Sequence, residues 1–94
     1  MDLLSMLKID LQITTTAYDE RLGQYLTAAE SAIRDEGAAT LNTDDALDAQ
    51  LVVMYAAWLW RRRDEMSGMP RMLRWQLNNR VLGEAAGGES DGAG

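Results

Sequence analysis

DDALDAQLVVMYAAWLWRRRDEM, residues Asp44–Met66, opens on the acids Asp44, Asp45 and Asp48, crosses the uncharged block Leu51–Trp60 and closes on Arg61, Arg62 and Arg63. Acids at the start and bases at the end complement a helix macrodipole, so the charge order marks both ends of one helix. Two apolar stripes run along it at helical spacing. Leu47, Leu51, Met54, Tyr55 and Trp58 form the first, and Ala49, Val53, Ala56 and Trp60 form the second on roughly the opposite side. A helix apolar on both sides is either a membrane span or the buried centre of a globule. Spanning takes about 20 apolar residues, more than this block offers. The stretch therefore predicts an all-α protein, a small bundle of about four helices around this central one.

Downstream, Ser67 and Gly68 make a turn, and Pro70 suits the first position of a fourth helix. Leu73, Leu77 and Val81 are its inner stripe, flanked by Met72 and Trp75. Arg71 and Arg74 lie near each other on this helix, whereas Arg80 falls on a different side. Gly83 is expected to stop it. The remainder, GEAAGGESDGAG, has no large apolar side chain to offset the entropy of ordering. Two regions are expected: a helical domain over residues 1–82 and a disordered Gly/acid-rich tail over residues 83–94.

Upstream, Leu41 anchors a short loop, and Asn42 or Thr43 is expected to cap the central helix. Tyr18, Leu22, Tyr25, Leu26, Ala29 and Ile33 trace an unbroken amphipathic stripe for a second helix, with Arg21, Gln24, Glu30, Arg34 and Asp35 outside. Thr15 or Thr16 is the expected cap and Gly37 the stop. Asp2 caps a first short helix carrying Leu3, Leu4 and Leu7, which is expected to end near Lys8. From residue 9 to 14 the pattern alternates, with Ile9, Leu11 and Ile13 against Asp10, Gln12 and Thr14. A period of two followed by three threonines suggests a short extended segment, or a linker tucking three apolar side chains under the bundle.

The chain has 94 residues, no cysteine and no histidine, and a net charge of −6. That length makes one small domain with a thin stability margin. Disulfides, thiolate and imidazole chemistry and the usual zinc sites are excluded. No cofactor or metal is expected. The N-terminus lacks a signal-peptide pattern, which points to cytoplasmic synthesis without a membrane partner. Asp44, Asp45 and Asp48 could be a carboxylate site, but acids in a first helical turn are common for dipole reasons, and no base, nucleophile or phosphate loop accompanies them. A catalytic role is therefore not expected. Trp58 and Trp60 stand about 200° apart on an α-helix and cannot enter the same side of the core. Either they pack beneath the second and fourth helices, or Trp60 is covered by a neighbouring subunit.

Four strings taken in order resemble the small head–tail connector proteins of long-tailed bacteriophages, also called head-completion or adaptor proteins. Leu7-Lys8-Ile9-Asp10 closes the first helix, and Leu26-Thr27-Ala28-Ala29-Glu30-Ser31-Ala32-Ile33 is the Ala- and Glu-rich second one. Trp60-Arg61-Arg62-Arg63-Asp64 ends the apolar third, and Met69-Pro70 through Arg80 forms the last. The resemblance covers about residues 3 to 82, with Arg62 where the family usually has asparagine and a longer run from Leu11 to Thr16. It implies a non-enzymatic virion subunit of the neck that forms a homo-oligomeric ring under the portal vertex and joins head to tail. Implied partners are the portal protein, a tail-side connector or stopper protein, and DNA passing without sequence-specific contacts.

Trp60, Arg61, Arg62 and Arg63, with Arg71 and Arg74, are the expected subunit and partner interface. The arginine fork pairs bidentately with carboxylates such as Asp19, Asp35 or Glu36 of a neighbour. The alternative is a small helical DNA-binding or regulatory domain using Arg61–Arg63 and the fourth helix, against which the negative charge and scattered arginines weigh.

Overall fold

The computed structural model describes residues 2–62 and 68–93, with side chains as far as residue 86. Among them lie four helices: α1 Leu3–Leu11, α2 Asp19–Glu36, α3 Ala46–Arg62 and α4 Arg71–Ala93. The protein is an all-α bundle. Helix α3 is its centre, packed by α1, α2 and α4. It buries Ala49, Leu51, Val52, Val53, Tyr55, Ala56 and Ala57, residues that together cover about two-thirds of the helix circumference. Leu7 of α1, Leu22, Leu26, Ala29 and Ile33 of α2, and Leu73 and Leu77 of α4 close over them. Each fully buried aliphatic side chain contributes roughly 1.5–3 kcal/mol relative to exposure, so the wide apolar surface of α3 selects this arrangement. Leu47 departs from its stripe and is 76% exposed. In that first turn Asp48 faces inward instead, drawn to Arg80 of α4.

The helix ends explain why α1 runs longer than expected. Asp2 caps it, accepting the Ser5 amide at 2.7 Å. It continues beyond Lys8 to Leu11, and no extended segment or strand forms among the described residues of this region. Leu4, Leu7 and Leu11 also lie at helical spacing, and that pattern prevails over the alternation. Gln12 then takes a left-handed φ of 60°. Its N–H donates to Ile9 O and that of Ile13 to Lys8 O, the paired bonds that terminate a helix. Leu11 and Ile13 pack against the core, but Ile9 is 65% exposed, so two of the three apolar side chains tuck under the bundle.

Neither Thr15 nor Thr16 caps α2. The Thr15 hydroxyl accepts the Ala17 amide in a local turn, and Tyr18 precedes α2 without capping it through its side chain. Tyr18 is itself substantially exposed, off the buried stripe. At the other end Gly37 has φ 132°, and a Cβ built there would stand 2.9 Å from Val81 Cγ1. Glycine is required twice over, by the left-handed backbone and by the close approach of α4.

The acids before α3 are structural. Asp45, rather than Asn42 or Thr43, is the cap, since its Oδ1 accepts the Leu47 and Asp48 amides at 2.9 and 3.1 Å. Asn42 makes a turn with the Asp44 amide. Helix α3 is described to Arg62; Arg63–Met66, the rest of the expected helix, lie outside the described residues. Pro70 precedes α4, its carbonyl accepting the Arg74 amide. Gly83 does not stop α4, which continues to Ala93. One residue later Glu84 is tied to Thr40 and Arg80, holding the chain in helical register across the glycine.

Leu51 is 3% exposed at the centre of this packing. Leu51→Ala is expected to lower unfolding free energy by about 2–5 kcal/mol in urea titration. A loss under about 0.5 kcal/mol, the level of an ordinary surface substitution, would show that α3 is peripheral.

Candidate interaction surface

The two tryptophans near the end of α3 divide between its neighbours. Trp60 meets Tyr18 and Tyr25 on the α2 side, edge to face, at 5.4 and 5.9 Å between ring centroids. Trp58 meets Tyr55 at 5.4 Å and lines a hollow with Met72 and Leu73 of α4. Both rings are half-buried. Spacing places them this way: two residues along a helix turns the side chain to the opposite flank.

The expected interface arginines are less concentrated than their sequence suggests. Arg61 reaches across to Asp10 of α1, Nη2 to Oδ2 at 3.5 Å, with both side chains largely exposed. Arg62 lies over the Trp58 ring, its guanidinium carbon 5.0 Å from the centroid. Arg74 pairs with Glu36 at 3.5 Å. Arg71 is exposed beside Met72 and Trp75, and Arg63 lies outside the described residues. Exposed pairs of this kind contribute about 0–1 kcal/mol, so they leave these guanidinium groups free to exchange partners at little cost. Of the carboxylates expected to receive a neighbour's arginines, Asp19 is held by Lys8 at 2.8 Å and Glu36 by Arg74. The described arginines do not line up as one basic stripe.

The polar cluster that holds α4 involves Arg80, a residue set apart in the sequence only by falling off the other arginines' side. Its Nε donates to Asp48 Oδ1 at 2.8 Å and its Nη2 to Thr40 Oγ1 at 3.1 Å. Asp48 also accepts the Asn42 amide at 3.0 Å. Glu84 Oε1 accepts both the Thr40 amide and hydroxyl, at 2.6 and 2.7 Å, and lies 3.6 Å from Arg80 Nη1. The Asp48 hydrogen bond raises the Arg80 pKa above its ordinary value, and the Thr40 amide lowers that of Glu84. Asp48 is 7% exposed, the only buried charged residue among those described. The signal available in the sequence was register: Asp48 continues the Val52–Tyr55 line, and Arg80 follows Leu77 by three.

This geometry binds the protein to itself. Asp45 is committed to a cap and Asp48 to Arg80, and no group of three or more His, Cys, Asp or Glu among the described residues could hold a metal ion. Among the described residues no helix is long and apolar enough to cross a membrane. The class is a small helical bundle with an aromatic and arginine-bearing end. The family model for phage gp6-like head-tail connector proteins matches residues 1–70, and the chain belongs to that family. It is thus a structural connector protein of a phage particle, assembling with other head and tail proteins. No curated protein and no solved structure matches it. The matched segment holds α1–α3 and ends at Pro70, one residue before α4.

Arg80→Met strands the buried Asp48 carboxylate. It is expected to cost about 2–4 kcal/mol in urea titration, somewhat under a fully buried pair because Arg80 reaches solvent. Adding Asp48→Leu should recover much of the loss, since an apolar pair avoids desolvated charge. Recovery of nothing would show that Asp48 acts mainly through its bond to Asn42.

Proposed function

We propose that this chain is one subunit of a ring beneath the portal vertex of a DNA-filled head, extending the channel and joining head to tail. Membership of the connector family over residues 1–70 carries the reading. A ring repeats one heterologous contact around an axis, which suits a small bundle whose Arg61 and Arg74 are held only by weak exposed pairs. Trp60, Arg61, Arg62 and Arg63, with Arg71 and Arg74, form the subunit and partner contact. Portal protein lies on one side and a tail-side connector or stopper on the other. With a net charge of −6 the ring passes DNA without gripping its phosphates. The chain is made in the host cytoplasm and ends in the virion neck. The Gly/acid-rich segment at the C-terminal end is an appendage that the bundle does not need for folding beyond the Glu84 contact.

Reversal of Arg61 and Arg63 to Glu tests the contact. The Arg61–Asp10 pair is exposed, so folding should change by no more than about 1 kcal/mol. The double variant is expected to remain folded yet fail to join heads to tails in an in-vitro complementation assay. Full joining by a folded double variant would remove these arginines from the interface. Tight, strongly salt-dependent binding of duplex DNA by the wild-type chain would instead favour the DNA-binding alternative.

A further inference from the structure

Helices α3 and α4 share one outward face that the bundle leaves uncovered. They run antiparallel, since Asp48 meets Arg80 at one end while Trp58 shares a hollow with Met72 and Leu73 at the other. Three large apolar side chains stand out from this face: Leu47 at 76%, Met72 at 59% and Trp75 at 61% exposure. Leu47 and Trp75 line opposite walls of a single hollow floored by Leu51, and Met72 and Trp75 line a second, almost wholly apolar one beside Arg71. Burying these side chains against a partner is favourable, and a patch of this kind on a small protein marks an association site.

The charges flanking the patch specify the occupant. The end bearing Leu47 carries Asp44 and Asp45, both exposed; the end bearing Met72 carries Arg71, also exposed. Asp44 and Arg71 have no ion-pair partner among the described residues. A face acidic at one end, apolar in the middle and basic at the other is complementary to itself after a half-turn. We propose that a second copy of this chain docks there about a two-fold axis, with Trp75 near the axis and Asp44 and Asp45 of each copy facing Arg71 of the other. The contact is isologous, unlike the heterologous ring contact, and the two share Arg71. Its size follows from the helices. Seventeen residues of α3 span about 25 Å, and two helices side by side about 20 Å, giving on the order of 500 Å² per copy. That is at the small end for a specific interface, so the dimer should be weak and visible only at high protein concentration.

The chain has no cysteine, so an introduced one reports without background. Sedimentation velocity of the full chain should show a monomer at low micromolar concentration and a two-chain species at several hundred micromolar. Trp75→Cys should form a disulfide-linked dimer under mild oxidation, and Ile9→Cys, on the exposed side of α1, should not. Arg71→Glu should abolish the two-chain species, and combining it with Asp44→Lys, which leaves the Asp45 cap in place, should restore it. Circular dichroism on each variant separates loss of association from loss of folding, and the restoring variant keeps the test sharp if one charge change unsettles a helix. A chain that stays monomeric throughout overturns the proposal. So does association untouched by Arg71→Glu, equal cross-linking at positions 9 and 75, or failure of a folded Arg71→Glu, Asp44→Lys double variant to restore the dimer.

Discussion

A helix that is apolar around most of its circumference is stable in water only when other helices cover it, and that constraint on α3 orders the whole molecule. It requires neighbours on several flanks, which α1, α2 and α4 supply. It requires those neighbours to present stripes, and Leu22, Leu26, Ala29 and Ile33 on α2 do so without interruption. It also sets what lies between the helices. The chain must turn sharply after α2 to return along α3, and Gly37 makes that turn while leaving room for Val81. Among the described residues helix α4 contributes only Leu73 and Leu77 to the fully buried core, so the Arg80–Asp48 pair has a larger share in fixing its position.

Features that one helix dictates by itself were legible in the sequence. The acids that open α3 and its double stripe, the single stripe of α2, Asp2 as a cap, Gly37 as a stop and Pro70 as a start all follow from local chemistry. What escaped depends on distant partners. Leu47 reads as core by spacing, but its turn is oriented by Asp48, whose attraction to Arg80 spans 32 positions. Gly83 reads as a terminator, yet Glu84 finds Thr40 across 44 positions and the helix persists. The end of α1 misled for another reason. Ile9, Leu11 and Ile13 alternate, but Leu4, Leu7 and Leu11 satisfy a helix as well, and a left-handed Gln12 decided between them.

The candidate site was less legible than the fold. Sequence put Trp60, the arginines Arg61 to Arg63, and Arg71 and Arg74 together by proximity along the chain and by resemblance. In the structure Arg61, Arg62 and Arg74 each meet a different helix or ring of the same molecule. Surface arginines choose partners among whatever carboxylates and aromatic faces lie within reach, and the alternatives differ by less than about 1 kcal/mol. Such small differences leave no periodic trace in a sequence. The family is carried by the whole pattern of α1–α3 instead, and the matched segment stops before α4. The helix outside that match is also the one that bears Met72, Trp75 and Arg71.

Native-state hydrogen exchange on the full chain, followed amide by amide across a series of low urea concentrations, tests the central place of α3 most directly. The account predicts that Val52 and Ala56 exchange only through global unfolding, with the full urea dependence of that transition. Leu77 and its neighbours on α4 should exchange through a smaller opening that needs less free energy and leaves α1–α3 intact. Protection of the α4 amides equal to that of α3, or exchange of Val52 and Ala56 through local opening while another helix stays closed, would contradict it.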